Sequence, residues 1–158
     1  MISKEQHTFS SASLRPEMNI MFSTKNKRHF TRAAYVYIEN YFNESLKKLG
    51  RENPWADTVF HAIDENHFMA ALYINGTKMS RCKIWFGGGN AFQDGIAYSS
   101  GYSFSDSCLG DSLTVGEENG RFYLKSIHES ENDKKLTIKL GAEYFWKKFI
   151  GTVTNNSN

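Results

Sequence analysis

Residues His67–Phe86 read HFMAALYINGTKMSRCKIWF. Two runs rich in apolar and aromatic residues flank Asn75-Gly76. That dipeptide accepts the positive φ angles of a type I′ turn, so the stretch predicts a β-hairpin with a two-residue loop. So short a loop sets the register. Ile74 is expected opposite Thr77, Leu72 opposite Met79, Ala70 opposite Arg81 and Phe68 opposite Lys83. On the other face, Tyr73 should pair with Lys78, Ala71 with Ser80, Met69 with Cys82 and His67 with Ile84. Away from the turn this second face is small and apolar, and it is the face expected to be buried. The first face would then show Arg81, Lys83 and Trp85 among Phe68, Leu72 and Met79.

Working outward, TVFHAI (Thr58 to Ile63) is a candidate strand before the hairpin, and GIAY within 95–98 is another after it. SLTV and RFYLKSI suggest a second hairpin around GEENG, and LTI suggests a last short strand. Before the sheet, Phe30, Ala34, Tyr37, Ile38, Tyr41, Phe42, Leu46 and Leu49 recur at three- and four-residue steps, the mark of one helical face. Ser23 or Thr24 would cap this helix, and Gly50 would end it in a left-handed residue. Lys47 and Lys48 suit the negative C-terminal pole of the helix dipole. After the sheet, Ala142, Phe145, Trp146, Phe149, Ile150 and Val153 form a second apolar helical face. The order helix, five to six strands, helix predicts an α+β fold: an antiparallel sheet packed on one face by an N-terminal and a C-terminal amphipathic helix. Residues 1–22 are polar and aperiodic and read as a flexible tail. Residues 23–153 read as a single domain and 154–158 as a frayed end.

The composition fits this picture. A chain of 158 residues with 40% hydrophobic content is of single-domain size and builds a core without staples. The net charge of +2 is too small to argue for nucleic acid, but the charge is segregated along the chain. Lys25, Lys27, Arg28 and Arg32 occur with no acid among them, whereas 84–120 holds Asp94, Asp106, Asp111, Glu117 and Glu118 and no Lys or Arg. The only cysteines, Cys82 and Cys108, make neither a CxxC motif nor a disulfide framework. There is no apolar signal-peptide core and no run of the ~18 apolar residues needed to span a membrane. The expectation is a cytoplasmic protein with free thiols, in which the Asn-x-Ser/Thr matches carry no glycan.

Three places are candidates for function. Lys25, Arg28 and Arg32 stand where the long helix is expected to begin, and cations at that positive pole make an anion site with its exposed N–H groups. Arg81, Lys83 and Trp85 alternate on one strand, suggesting a platform on which an aromatic ligand stacks while the cations meet its phosphate or carboxylate. Gly87, Gly88, Gly89 and Asp94 open a long glycine-rich segment that fits no phosphate-binding fingerprint and is expected to act as a loop or lid. The acids of 84–120 lack EF-hand spacing, and the five histidines form no ligand motif, so neither a metal nor a cofactor is expected. His61 and His67 flank the Asp64–Asn66 turn, where a surface role is expected and a meeting across the hairpin is the alternative. No catalytic constellation emerges, which points away from an enzyme.

The expected function is a non-enzymatic binding or sensor domain for a small anionic ligand such as a nucleotide. Arg81, Lys83 and Trp85 would be its contacts, Lys25, Arg28 and Arg32 its charge partners, and the glycine-rich loop its cover. On this reading Lys83→Glu weakens binding without unfolding the protein. The alternative is a protein-interaction module, an inhibitor or a homodimer subunit, that uses the aromatic sheet face. A nucleic-acid binder and an enzyme of unrecognised class follow behind.

Overall fold

The computed structural model describes residues 16–87, 95–100, 110–127 and 134–156, with side chains between 26 and 151. Helix α1 (Pro16–Glu52) is followed by strands β1 (Ala56–Asp64), β2 (His67–Ile74), β3 (Thr77–Phe86), β4 (Ile96–Ser99), β5 (Asp111–Glu118) and β6 (Arg121–Ser126), and by helix α2 (Ile138–Asn156). The strands form one sheet in sequence order, each antiparallel to the next. This is the expected α+β fold with six strands. Leu136, in the expected last strand, makes an isolated bridge to Leu124 instead.

Both helices cover the same face. Ala34, Tyr35, Ile38, Phe42 and Leu46 of α1 and Ala142, Phe145 and Phe149 of α2 pack with Phe68, Ala70, Leu72, Cys82, Ile84, Ile96, Tyr98, Leu113 and Leu124 of the sheet. Phe42 is the junction: its ring lies 5.5 Å from Phe68, 5.2 Å from Trp146 and 5.8 Å from Phe149. Ser80 Oγ donates to Phe149 O at 2.7 Å and ties the sheet to α2 through a buried bond. Burial pushes the Cys82 thiol and the neighbouring Tyr98 phenol well above their ordinary pKa values, so the thiol is unreactive at neutral pH.

Three local expectations change. First, the hairpin register slips. Asn75 (φ 52°) and Gly76 (φ 82°) make the expected turn, and Ile74 pairs with Thr77 and Tyr73 with Lys78. A bulge then inserts Met79, after which Leu72 pairs with Ser80, Ala70 with Cys82, Phe68 with Ile84 and His67 with Trp85. One extra residue transposes the faces of β2 relative to β3. Phe68, Ala70 and Leu72 therefore enter the core, whereas His67, Met69, Ala71 and Tyr73 were the expected set. Second, α1 begins at Pro16, well ahead of Ser23, and runs through Gly50 to Glu52. Asn53 closes it, its backbone N–H and its side chain both donating to Leu49 O. Third, the β1–β2 turn pairs Asp64 with His67, while His61 lies opposite Met69, so the two histidines do not meet. The β5–β6 hairpin turns at Asn119 (φ 54°) and Gly120 (φ 76°), another positive-φ pair.

Candidate functional site

The expected contact residues fall on opposite sides of the sheet. Because Ile84 and Phe86 point to the helices, Arg81, Lys83 and Trp85 point away from them. Arg32 lies on the helix side. Its guanidinium sits 3.9 Å from the Phe86 ring centroid and donates to Asn66 Oδ1 at 2.6 Å and to Glu65 O at 3.0 Å. It clamps α1 onto the β1–β2 turn. Arg28 is exposed on α1, and Lys25 lies on the same helix with its side chain outside the described residues. With the helix starting at Pro16, none of these cations occupies its first turn, where the dipole acts. The joint anion site built from both groups does not assemble.

Of the glycine-rich segment, Gly88, Gly89 and Asp94 lie outside the described residues. Gly87 adopts φ 79°, and its N–H donates to Gly95 O at 3.0 Å, closing the base of the β3–β4 connection.

The outer face itself is not an open platform. Trp85 is 1% exposed and Lys83 4%. The Lys83 ammonium stands 5.0 Å from the Trp85 ring centroid, and the His67 ring lies nearly parallel to the indole at 6.5 Å. Lys83 and His67 thus crowd the indole ring. Pairing sets Trp85 opposite Ala97, and Ala97 opposite Ser112. Trp85 and Ser112 therefore flank a small, fully buried alanine in one row across three strands. Trp85 Nε1 and Ser112 Oγ are both buried without a hydrogen-bond partner among the described residues. Buried polar groups are nearly always paired, so these two are exceptions in one row, as Tyr35 O–H is on the helix side. At the rim His67 Nδ1 bonds Asp64 Oδ1 at 2.8 Å, which holds the Asp64 carboxyl below the usual range.

A second polar cluster was beyond sequence reasoning. Asp111 is fully buried on the helix side, opposite Tyr98. Its carboxylate accepts from Ser112 N–H at 2.6 Å, Ser126 Oγ–H at 2.9 Å and Tyr144 O–H at 2.5 Å, and faces Lys148 Nζ at 3.4 Å. Tyr144 and Lys148 are one helical turn apart on α2, and that spacing was the one available signal. Beside them lies a groove of about 430 Å³ lined by Lys134, Leu136, Leu140, Glu143, Lys147 and the same Tyr144 and Lys148. The carboxylate network pins α2 to β5 and β6. Among the described residues no three His, Cys, Asp or Glu side chains are grouped to hold a metal ion. None of the helices there is long and apolar enough to cross a membrane.

The fold is thus an antiparallel α+β meander with both described helices on one face and a buried polar row on the other. Residues 57–151, from β1 into α2, match the family described as the Y4lF protein domain; they make up more than half of the chain, and the chain belongs to that family. Over 133 residues it is 31% identical to a protein of Sinorhizobium fredii (strain NBRC 101917 / NGR234) described as uncharacterized protein y4lF. That alignment covers 82% of this chain and 41% of the relative, so the chain spans about two fifths of the curated relative it matches. No solved structure matches the chain.

Proposed function

We propose that this domain binds a small anionic ligand without turning it over, on the sheet face away from the helices. One observation carries the reading: Trp85 Nε1 and Ser112 Oγ are buried and unpartnered in one row, and the Lys83 ammonium stands 5.0 Å from the Trp85 ring centroid. A carboxylate or phosphate oxygen satisfies the indole N–H and the hydroxyl at once, and the lysine supplies charge in a low-dielectric setting. Arg81, half-buried two residues along the same face, adds a second cation at the margin. The recognition is by hydrogen bonds and charge. A nucleotide fits through its phosphate, since the indole face is already occupied by Lys83 and His67.

Lys83 is too buried for a clean test by Lys83→Glu, which places an acid in its stead at the 4% exposed position. Trp85→Phe keeps the ring and removes the donor. Native mass spectrometry before and after denaturation is the first measurement, with a small mass leaving on unfolding as the expected result. The second is titration with inorganic phosphate, citrate and AMP, following the indole N–H resonance of Trp85. At least one probe is expected to move that resonance, and Trp85→Phe is expected to lose affinity for it by about tenfold or more. No released mass together with a fixed resonance overturns the proposal, as does an unchanged affinity in Trp85→Phe.

A further inference from the structure

We propose that the groove along the start of α2 binds a medium-chain aliphatic monocarboxylate, its alkyl tail on Leu136 and Leu140 and its carboxylate on Lys147 and Lys148. This site lies on the helix side of the sheet and is independent of the Trp85 row. Its volume of about 430 Å³ is that of a small-ligand site. The lining is ordered along the chain. Leu136 lies just ahead of α2 and Leu140 in its first turn, whereas Lys147 and Lys148 follow about two turns later. Leu140, Tyr144 and Lys148 stand at steps of four and so share one helical face. From Leu140 to Lys148 the backbone advances about 12 Å at the rise of an α-helix. An apolar end and a cationic end at that separation match an amphiphile lying along the axis rather than a compact anion.

Each end has its own physical cause. Leu140 is 45% exposed, and an alkyl chain laid on it withdraws apolar surface from water. Leu136 and Leu124 exchange two backbone hydrogen bonds of 2.8 Å, so the apolar end is a fixed wall. At the other end Lys148 Nζ is held 3.4 Å from Asp111 Oδ2 and 5.6 Å from the Tyr144 ring centroid. An ammonium has three donors, so a carboxylate is met from the position Asp111 already sets, with little further ordering. Lys147, exposed at the neighbouring position, supplies a second cation. Burial first and Glu143 second raise the Tyr41 phenol above its ordinary pKa, which puts Glu143 toward α1. Glu143 and Asp111 offset part of the charge of Lys134, Lys147 and Lys148. That balance suits one negative charge rather than a polyphosphate.

The test is calorimetric titration of the full 158-residue chain with decanoate below its micelle concentration, compared with octanoate and decylammonium. Decanoate is expected to saturate at one per chain. Octanoate, two methylenes shorter, is expected to bind about tenfold more weakly, and decylammonium is expected not to bind. Leu140→Gln and Lys147→Glu alter exposed side chains, so both variants should melt as the parent does. Each is expected to weaken decanoate binding by about fivefold or more. Lys134→Glu is expected to weaken it less, because the carboxylate lies at the other end. Trp85→Phe is expected to leave the affinity unchanged, which separates this site from the sheet face. Absence of saturation overturns the proposal, as does equal binding of octanoate or of decylammonium. So does an unchanged affinity in Leu140→Gln or Lys147→Glu, or a larger loss in Lys134→Glu. A loss in Trp85→Phe also overturns it and moves the carboxylate to the sheet face.

Discussion

Asp111 shows what a single residue contributes here and how little of it the chain order discloses. In sequence it is one of five acids in a stretch without Lys or Arg, with no spacing that assigns it a role. In the fold it accepts from a backbone N–H, a serine and a tyrosine, and faces Lys148, with no solvent exposure. A buried carboxylate so fully satisfied fastens α2 to the sheet. Asp111→Asn preserves the shape but turns an amide N–H₂ against at least one of those donors and removes the charge that faces Lys148. Lys148 is one third exposed, so water screens part of that loss. The expected cost is about 1–3 kcal/mol, the range for stranding a buried polar group. The check is the urea midpoint, which should fall while the slope stays constant. Tyr144→Phe, which removes one donor and leaves the carboxylate otherwise satisfied, should cost less. Equal midpoints for wild type and Asp111→Asn would show that the network does not hold the helix.

Elements were legible where polar contrast was sharp and illegible where it was not. Asn75-Gly76 located the hairpin, and on β3 the split between Ser80, Cys82, Ile84 and Arg81, Lys83, Trp85 identified the core side correctly. On β2 both faces are apolar: Phe68, Ala70 and Leu72 on one, Met69, Ala71 and Tyr73 on the other. Pattern alone could not detect a bulge between them. The basic stretch misled for a similar reason, because α1 starts at Pro16 and the residues before Ser23 show no periodicity to announce it. The candidate row was half visible: Lys83 and Trp85 were read from β3, whereas Ser112 joins them only through two strand pairings. The bulge carries its own prediction. Met79 is the inserted residue, so deleting it leaves Lys78 opposite Tyr73 and Ser80 opposite Leu72, with every side chain on its present face. Met79 deletion is expected to keep a cooperative melt, with a change of about 1 kcal/mol or less by the usual size of surface effects near a turn. Deleting Arg81 instead either turns Cys82, Ile84 and Phe86 to the wrong side or, if the bulge closes, brings Met79 inward and pulls Ser80 off its buried bond to Phe149 O, so it is expected to melt well below the Met79 deletion. Thermal melts of the two deletions compared by circular dichroism decide the matter, and a parent-like melt for Arg81 deletion would refute the face assignment.

At the scale of the whole molecule the helices and sheet form one core, and Phe42 is where they meet. From α1 its ring reaches Phe68 on β2 and Trp146 and Phe149 on α2, all within 6 Å between centroids. Because both helices lie on the same face of the sheet, losing this contact removes packing from three elements at once. Phe42→Ala is expected to cost about 3–5 kcal/mol, the transfer of the ring plus the cavity it leaves. A domain of this size holds only about 5–15 kcal/mol in total, so the variant forfeits a large share of its stability. At about 2–4 °C per kcal/mol, the melting temperature should fall by about 6–20 °C. The shape of the melt is as informative as its midpoint. Trp146 packs in the helix layer and Trp85 on the far side of the sheet, so tryptophan fluorescence senses both layers, and far-ultraviolet circular dichroism follows the backbone. With one shared core the two signals should fall together, before and after the substitution. If fluorescence and circular dichroism separate into two transitions in Phe42→Ala, the helix layer is detaching from a sheet that survives without it. Phe42 would then be a dock between two units rather than the centre of one.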